Sequence, residues 1–390
     1  MKKTLAAVAV LGAFAGSALA ADVQLYGIVD TGVRYLSGDY DKANTDSFNK
    51  FSMESGMASG SRFGFKGTED LGNGLTVGFI LENQFNSDDG SLKDDDHFFR
   101  REASLFLEGS FGKFAMGRMG SINGGTSSWA QHGVMSAFGT SWGSYAANAD
   151  NVFGNSQIWD NMIAYQTPSF AGFKVYAQYG MGNQVTKYDE TVGGVENESS
   201  SDRYYAIGAS YANGPLNLFL SVDSVNYASY DSTATPKVTD PDDSLTVRFG
   251  GNFDFEVAKV FAGVSYFDEA KLSNYSGISS DDGVGYKGLK LEGWSLGLST
   301  SIPVAGGQVL FGAAYMDAEA ADSAAQTDDK DLELSRWIVS AGYDYPFSKR
   351  TDVYAVATYN QDSLENAAKY AGKDADPYVF GVMVGLRHRF

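Results

Sequence analysis

From Val23 onward the chain alternates with a period of two, and this limits its fold more than any other feature. Val23, Leu25, Gly27, Val29, Thr31 and Val33 fall on one face of an extended segment. Gln24, Tyr26, Ile28, Asp30, Gly32 and Arg34 fall on the other. At 293–300, Trp294, Leu296 and Leu298 alternate with Gly293, Ser295, Gly297 and Ser299. At the C-terminus, Phe380, Val382, Val384, Leu386, His388 and Phe390 alternate with Gly381, Met383, Gly385, Arg387 and Arg389. A soluble sandwich alternates in the same way, so the period alone leaves the class open.

The spacing narrows it. Strands are expected near 22–34, 60–68, 74–85, 98–108, 111–118, 158–167, 171–180, 203–212, 215–226, 243–254, 257–268, 288–300, 307–317, 332–345, 351–361 and 377–390. Gaps after odd-numbered strands are long (35–59, 86–97, 119–157, 181–202, 227–242, 269–287, 318–331, 362–376), and gaps after even-numbered ones are short. Shifted boundaries would accommodate fourteen or eighteen strands; the alternation of gap lengths survives either count. Long external loops and tight periplasmic turns on an even number of strands describe an all-β, transmembrane antiparallel β-barrel. Closure follows from physics, because an unpaired backbone group in hydrocarbon costs several kcal/mol and a spanning sheet must have no edges. Sixteen strands enclose more space than their own side chains fill, so the fold implies a water-filled channel.

Composition agrees. Of 390 residues, 23 are Tyr and 26 Phe, which suits aromatic girdles at two membrane interfaces. There is no cysteine, hence no disulfide scaffold or thiolate site. With 29 Lys+Arg against 48 Asp+Glu the net charge is −19, which argues against a nucleic-acid partner. Lys2 and Lys3, the apolar run Leu5 to Gly16 and the small-x-small triplet Ala18-Leu19-Ala20 form an export signal, expected to be cut between Ala20 and Ala21. This run of about a dozen residues is too short to span, since a bilayer needs ~20. The expected organisation is a leader at 1–20 and one barrel domain at 21–390, with no later apolar run long enough for a spanning helix.

Particular residues carry a family resemblance. Val23-Gln24-Leu25-Tyr26-Gly27-Ile28-Val29-Asp30 and Ser61-Arg62-Phe63-Gly64-Phe65-Lys66-Gly67-Thr68-Glu69-Asp70-Leu71-Gly72-Asn73-Gly74-Leu75 resemble the first strands of the Gram-negative general diffusion porins, above all the β-proteobacterial branch. So do Phe111-Gly112-Lys113 with Gly117-Arg118, the run Tyr165 to Phe173, and Gly385-Leu386-Arg387-His388-Arg389-Phe390. The resemblance spans the mature chain except the external loops. It implies a homotrimer of sixteen-stranded barrels in the outer membrane, contacting lipid bilayer and lipopolysaccharide, each with its third loop folded into the lumen. It also implies that Phe390 is the signal read by the outer-membrane assembly machinery.

The gap 119–157 is the candidate inward loop: it is long, rich in Gly, Ser and Ala, and carries Trp129, Phe138, Trp142, Tyr145 and Phe153. On the second strand Phe63 and Phe65 share the lipid face, which sends Arg62 and Lys66 to water; Arg62 resembles a wall arginine of the family. Parity with Glu102, Ser104 and Glu108 assigns Arg100 to the lumen. Arg118 matches the family's Gly-Arg before the inward loop, yet shares parity with Phe114 and Met116, which leaves its direction open. For all these cations, snorkelling toward headgroups is the alternative. Anion-preferring family members commonly carry a further Arg shortly before the Asn of the sixth strand. Counting back from Asn161, this chain has Ile158 there. The loop offers only Asp150, with Asp160 just beyond it, so weak selectivity with a lean toward cations is expected.

Signs of other chemistry are weak. His97, His132 and His388 are scattered and form no metal-ligand spacing. The acidic run from Ser87 to His97 lacks the order and distal Glu of a calcium loop. No nucleophile elbow, P-loop or dinucleotide fingerprint stands in a suitable context, so neither enzyme activity nor a cofactor is expected. The leading expectation is passive diffusion of small hydrophilic solutes. The alternatives are a sugar- or organic-acid-specific channel of the same fold, whose loop aromatics would form a binding slide, and an adhesin or barrel enzyme using the loops.

Overall fold

The computed structural model describes residues 22–41, 47–155, 158–182, 196–229, 241–278, 289–321, 331–367 and 374–390. The expected leader, with Ala20 and Ala21, lies outside them.

The described residues form seventeen strand segments: β1 (Asp22–Asp39), β2 (Phe48–Ser55), β3 (Arg62–Gly72), β4 (Leu75–Gln84), β5 (Glu102–Gly109), β6 (Gly112–Gly120), β7 (Ile158–Gln166), β8 (Phe173–Gly180), β9 (Arg203–Asn213), β10 (Leu216–Asn226), β11 (Leu245–Asp254), β12 (Lys259–Lys271), β13 (Lys290–Val304), β14 (Gly307–Ala320), β15 (Glu333–Pro346), β16 (Thr351–Glu365) and β17 (Tyr378–Arg389). One short helix, α1 (Ala149–Phe153), and two 3-10 turns lie in loops. From β3 onward, sequence neighbours pair antiparallel, and β17 pairs back onto β1. β2 and β3 both pair with the same edge of β1, at Thr31–Gly38 and at Asp22–Ile28. They are two halves of one barrel strand, so the closed barrel has sixteen. The expectation that 35–59 is all loop is corrected here: β2 lies within it, and its signal was the alternation of Phe51 and Met53 with Ser52 and Glu54.

The burial pattern is the inverse of a water-soluble protein. On β13 the large Trp294, Leu296 and Leu298 are exposed while Ser295 and Ser299 are buried. On β14, Phe311 and Tyr315 face out. Such a surface is stable against lipid and not against water. The outward aromatics sort into two belts. Phe170, Phe173, Phe253, Phe255, Tyr345 and Phe347 are exposed near the short turns, and Tyr205, Tyr266, Trp294, Tyr315, Trp337 and Tyr378 near the long loops. The turns are locally encoded. Ala305 and Gly306, at φ 51° and 81°, make the two-residue connection between β13 and β14, whose left-handed backbone matches strand twist.

Residues 121–155 of the third long loop fold into the barrel. Their aromatics seat on a row of lumen-facing glycines in neighbouring strands. A Cβ on Gly263 would come within 2.8 Å of the Phe153 ring, and one on Gly312 within 3.0 Å of the Phe138 ring. Polar rungs fix the backbone. Ser299 Oγ accepts from the Ala137 N–H at 2.9 Å, Ser340 Oγ accepts from the Ala147 N–H at 3.0 Å, and Thr358 Oγ1 donates to the Tyr145 carbonyl at 2.6 Å. Arg248, fully buried and paired with Asp223, donates to the Phe153 carbonyl at 2.7 Å. Residues 272–278, expected as part of an external loop, add a second layer: Leu272, Tyr275 and Ile278 are buried, and Asn155 N–H donates to the Asn274 carbonyl at 2.8 Å.

Candidate functional site

The inward loop packs along β8–β16, where the Ile122 N–H also donates to Gln178 Oε1 at 2.8 Å and Ser221 Oγ to Asn123 Oδ1 at 2.6 Å, and space remains along β1 and β3–β6. A cleft of about 310 Å³ lies there, lined by Tyr26, Arg62, Lys66, Ile80, Glu82, Arg101 and Glu102 of the wall and by Gly125, Ser127 and Ser128 of the loop. A second space of about 250 Å³ continues toward the short turns, bounded by Asp22, Gln24, Lys66 and Lys113 among others.

Strand register sets this arrangement. Arg62 starts β3 opposite Ile28 and Gln84, and Lys66 follows four residues deeper, opposite Gln24 and Ile80. Glu82 and Glu102 pair across β4 and β5. Both carboxylates are engaged. Glu82 Oε1 accepts from Arg101 Nε at 2.5 Å, and its Oε2 lies 3.8 Å from Arg62 Nε. Glu102 accepts from Ser128 N–H at 2.8 Å, Ser128 Oγ at 2.9 Å and Ser104 Oγ at 2.8 Å. Lys66 is exposed and, among the described residues, has no ion pair; its ammonium lies 5.3 Å from the centre of the Tyr26 ring. Lys113 likewise has no ion pair and sits 4.1 Å from the Phe106 ring centre, with Glu108 opposite it in register. Arg62, Lys66 and Arg101 against Glu82 and Glu102 leave the cleft one positive charge in excess. The facing loop segment, Gly125, Ser127 and Ser128, contributes hydroxyls and backbone, with the Asp150 carboxylate close beside Gly125.

Two residues named as candidates for the lumen wall, Arg118 and Asp160, lie elsewhere. Arg118 stands opposite Ala103, on the face that carries exposed Leu105 and Met116, and pairs with Asp160. Both therefore belong to the outer side of the wall. With His97, Asp94 and Arg100 they form a rim cluster: His97 lies 3.5 Å from Asp160 and 3.0 Å from Asp94, and Arg118 Nε donates to the Arg100 carbonyl. Partial burial would raise the Asp94 pKa, but the Asp96 N–H and His97 hold its carboxyl below the ordinary range. Arg100 reaches Gln84 Oε1 at 2.9 Å and Asp94 at 3.8 Å from the turn before β5, while Arg101 takes the place beside Glu82. β5 begins at Glu102, so parity cannot be extrapolated to 100 and 101. Asp150 lies in the loop on α1, its Oδ1 2.5 Å from His132 Nε2 and its Oδ2 accepting from Asn155 at 2.8 Å. Ile158 pairs with Gly120 at the start of β7. Phe390 exchanges backbone hydrogen bonds with Gly27 at 3.0 and 3.1 Å, beside the β1–β17 seam.

The loop aromatics are unavailable to a solute. Trp129 is 2% exposed, Phe138 and Phe153 0%, and Trp142 and Tyr145 8% each. No group of three His, Asp or Glu side chains among the described residues is placed to hold a metal ion.

Comparison with known proteins agrees with this architecture. The family model for Gram-negative porins matches residues 6–364. The chain is 34% identical to an outer membrane porin protein of Bordetella pertussis and 31% identical to outer membrane porin protein 32 of Delftia acidovorans, in each case over the whole of both chains. Among solved structures it resembles an anion-selective porin from Comamonas acidovorans, with a TM-score of 0.66, 26% identity, and coverage of 95% of this chain and 100% of that one. A closed sixteen-stranded barrel with a lipid-facing exterior and an inward third loop, matched along nearly all of its length, belongs to the Gram-negative porin family: it is a channel of the outer membrane and not an enzyme.

Proposed function

We propose that the protein is a passive, water-filled diffusion channel for small hydrophilic solutes and ions, with a weak preference for anions. The observation that carries this is the unequal engagement of charge in the cleft. Glu82 and Glu102 are tied up by Arg101 and Ser128, while Lys66 projects without an ion pair. Cationic side chains lining a pore favour anions, and a low-dielectric wall focuses their field. The sign is opposite to the sequence expectation for three reasons: Arg101 turns inward, Asp160 faces out, and Asp150 is held by His132 and Asn155. The anion selectivity named for the Comamonas relative supports the same reading. Buried loop aromatics disfavour a sugar slide.

The leader at 1–20, cut between Ala20 and Ala21, the use of Phe390 by the assembly machinery and contact of the outer rim with lipopolysaccharide belong to the same proposal. So does homotrimer formation, which the trimer form of a Vibrio cholerae outer membrane protein of the same fold suggests. In planar bilayers, stepwise ohmic insertions and an anion-signed reversal potential in a salt gradient are expected. A cation-signed potential would overturn the preference, and folded protein without conductance would overturn the channel reading.

A further inference from the structure

The break between β2 and β3 is a built element. Across it two residues of β1, Val29 and Asp30, face six, Gly56 to Ser61, because register resumes with Thr31 opposite Ser55 and Ile28 opposite Arg62. The excess residues turn inward around the Asp30 carboxylate, which is wholly buried. Its Oδ2 accepts from the Ala58 N–H at 2.9 Å and the Ser59 N–H at 2.7 Å, and its Oδ1 accepts from the Tyr354 hydroxyl at 2.5 Å. The Gly56 N–H donates to the Asp30 carbonyl at 2.8 Å, and Ser61 Oγ donates to the same carbonyl at 2.9 Å. The turn then reaches the inward loop. The Met57 carbonyl accepts from the Trp142 N–H at 2.8 Å and the Gly143 N–H at 3.0 Å. Both residues have left-handed backbone, φ 76° and 91°; Trp142 holds a conformation that needs outside support. Tyr354 packs edge-on against the Trp142 ring at 5.3 Å, and the Arg387 guanidinium lies over the same ring at 5.5 Å while donating to Ser59 Oγ at 2.8 Å. On the opposite flank, a Cβ on Gly60 would lie 3.0 Å from Gln84 Nε2 and 3.3 Å from Arg101 Nη1.

We propose that residues 56–61 act as a clasp that fixes residues 142–143 of the inward loop and thereby sets the width of the water path, with Asp30 and Tyr354 as positioning residues. The clasp spans the gap between the loop and the cation-lined wall, the two sides of the pore. Three donors converge on Asp30; an amide could keep them only with its NH₂ facing the Tyr354 hydroxyl, which would have to reverse from donor to acceptor, and it would lose the charge-assisted strength of all three bonds.

The test compares wild type with Asp30→Asn and Tyr354→Phe in the full-length protein, each checked for folding by heat-modifiable migration. Amide hydrogen exchange at Trp142 and Gly143 and single-channel recordings are the two readouts. Faster exchange at both amides, a broader multi-level conductance histogram and closure at lower voltage are expected, larger for Asp30→Asn than for Tyr354→Phe. A general loss of stability would raise exchange across the loop, including at Ala137 and Ala147, whose N–H groups are held by Ser299 and Ser340; that pattern would overturn the assignment. Unchanged exchange and unchanged conductance in either folded variant would do the same. The inference rests on the channel reading only for the recordings. If wild type failed to conduct, that reading would fall, and the exchange data would still decide whether the clasp holds the loop.

Discussion

The two walls of this barrel differ in what their small residues are for. On β11–β15, lumen-facing Gly250, Gly263, Gly297, Gly312 and Gly342 make room for the inward loop, whose Met135, Phe138, Val152 and Phe153 fill the space in front of them. On β1 and β3–β6 the corresponding positions carry Arg62, Lys66, Ile80 and Glu82, and the space before them stays open. One strand pattern therefore supports both a core and a conduit. Which one forms depends on what the lumen-facing positions meet: the glycines and a buried Arg248 that holds the Phe153 carbonyl admit the loop, whereas Arg62 and Lys66 face open space.

Charge reversal on the open wall is expected to have the largest effect. Changing Lys66→Glu together with Lys113→Glu should turn the reversal potential from anion-signed to cation-signed. Each unit charge is worth about 1 kcal/mol at ~4 Å in water, roughly a fivefold change in ion partition before salt screening. An unchanged sign would mean that the conduit lies elsewhere. On the packed wall, Phe153→Ala empties a site made by Gly263 and Gly297. A stability loss of about 3–5 kcal/mol is expected from the lost aromatic ring, read as a lower temperature of heat-modified migration. Conductance should rise as the loop loosens. Smallest is Arg118→Gln: the guanidinium pairs with Asp160 on the outer side, so the reversal potential should stay at the wild-type value. A shift toward cations would return Arg118 to the lumen.

Much of the fold was legible in the sequence because hydrocarbon imposes a strict rule: apolar and small or polar residues must alternate, and connections must alternate in length. Lys66 and Arg62 were legible for the same reason, lying inside a regular strand whose phenylalanines fix the phase. Parity failed where the backbone leaves the sheet. Arg101 precedes β5 and turns inward, against the parity that favoured Arg100. Asp160, named only for its place just beyond the loop, lies beside Asn161, whose φ of 52° accompanies the register shift between β6 and β7. The clasp was hidden because its cause is Asp30, 28 residues upstream of Ala58 in the chain and joined to it only by pairing. The glycine row was visible only as a high count, since a glycine that admits an aromatic ring and one that eases a turn look alike in sequence.

The division into an open and a packed wall can be tested directly because the chain has no cysteine of its own. Single cysteines would replace Lys66 and Ile80 on the open wall, and Ser299 and Ala314 on the packed wall. Each channel would be exposed to a charged, water-soluble thiol reagent while its current is recorded. Rapid modification with a stepwise fall in current is expected at 66 and 80, with no reaction at 299 and 314. Current loss at 299 or 314 with silence at 66 and 80 would place the water path on the other side of the loop and contradict the assignment.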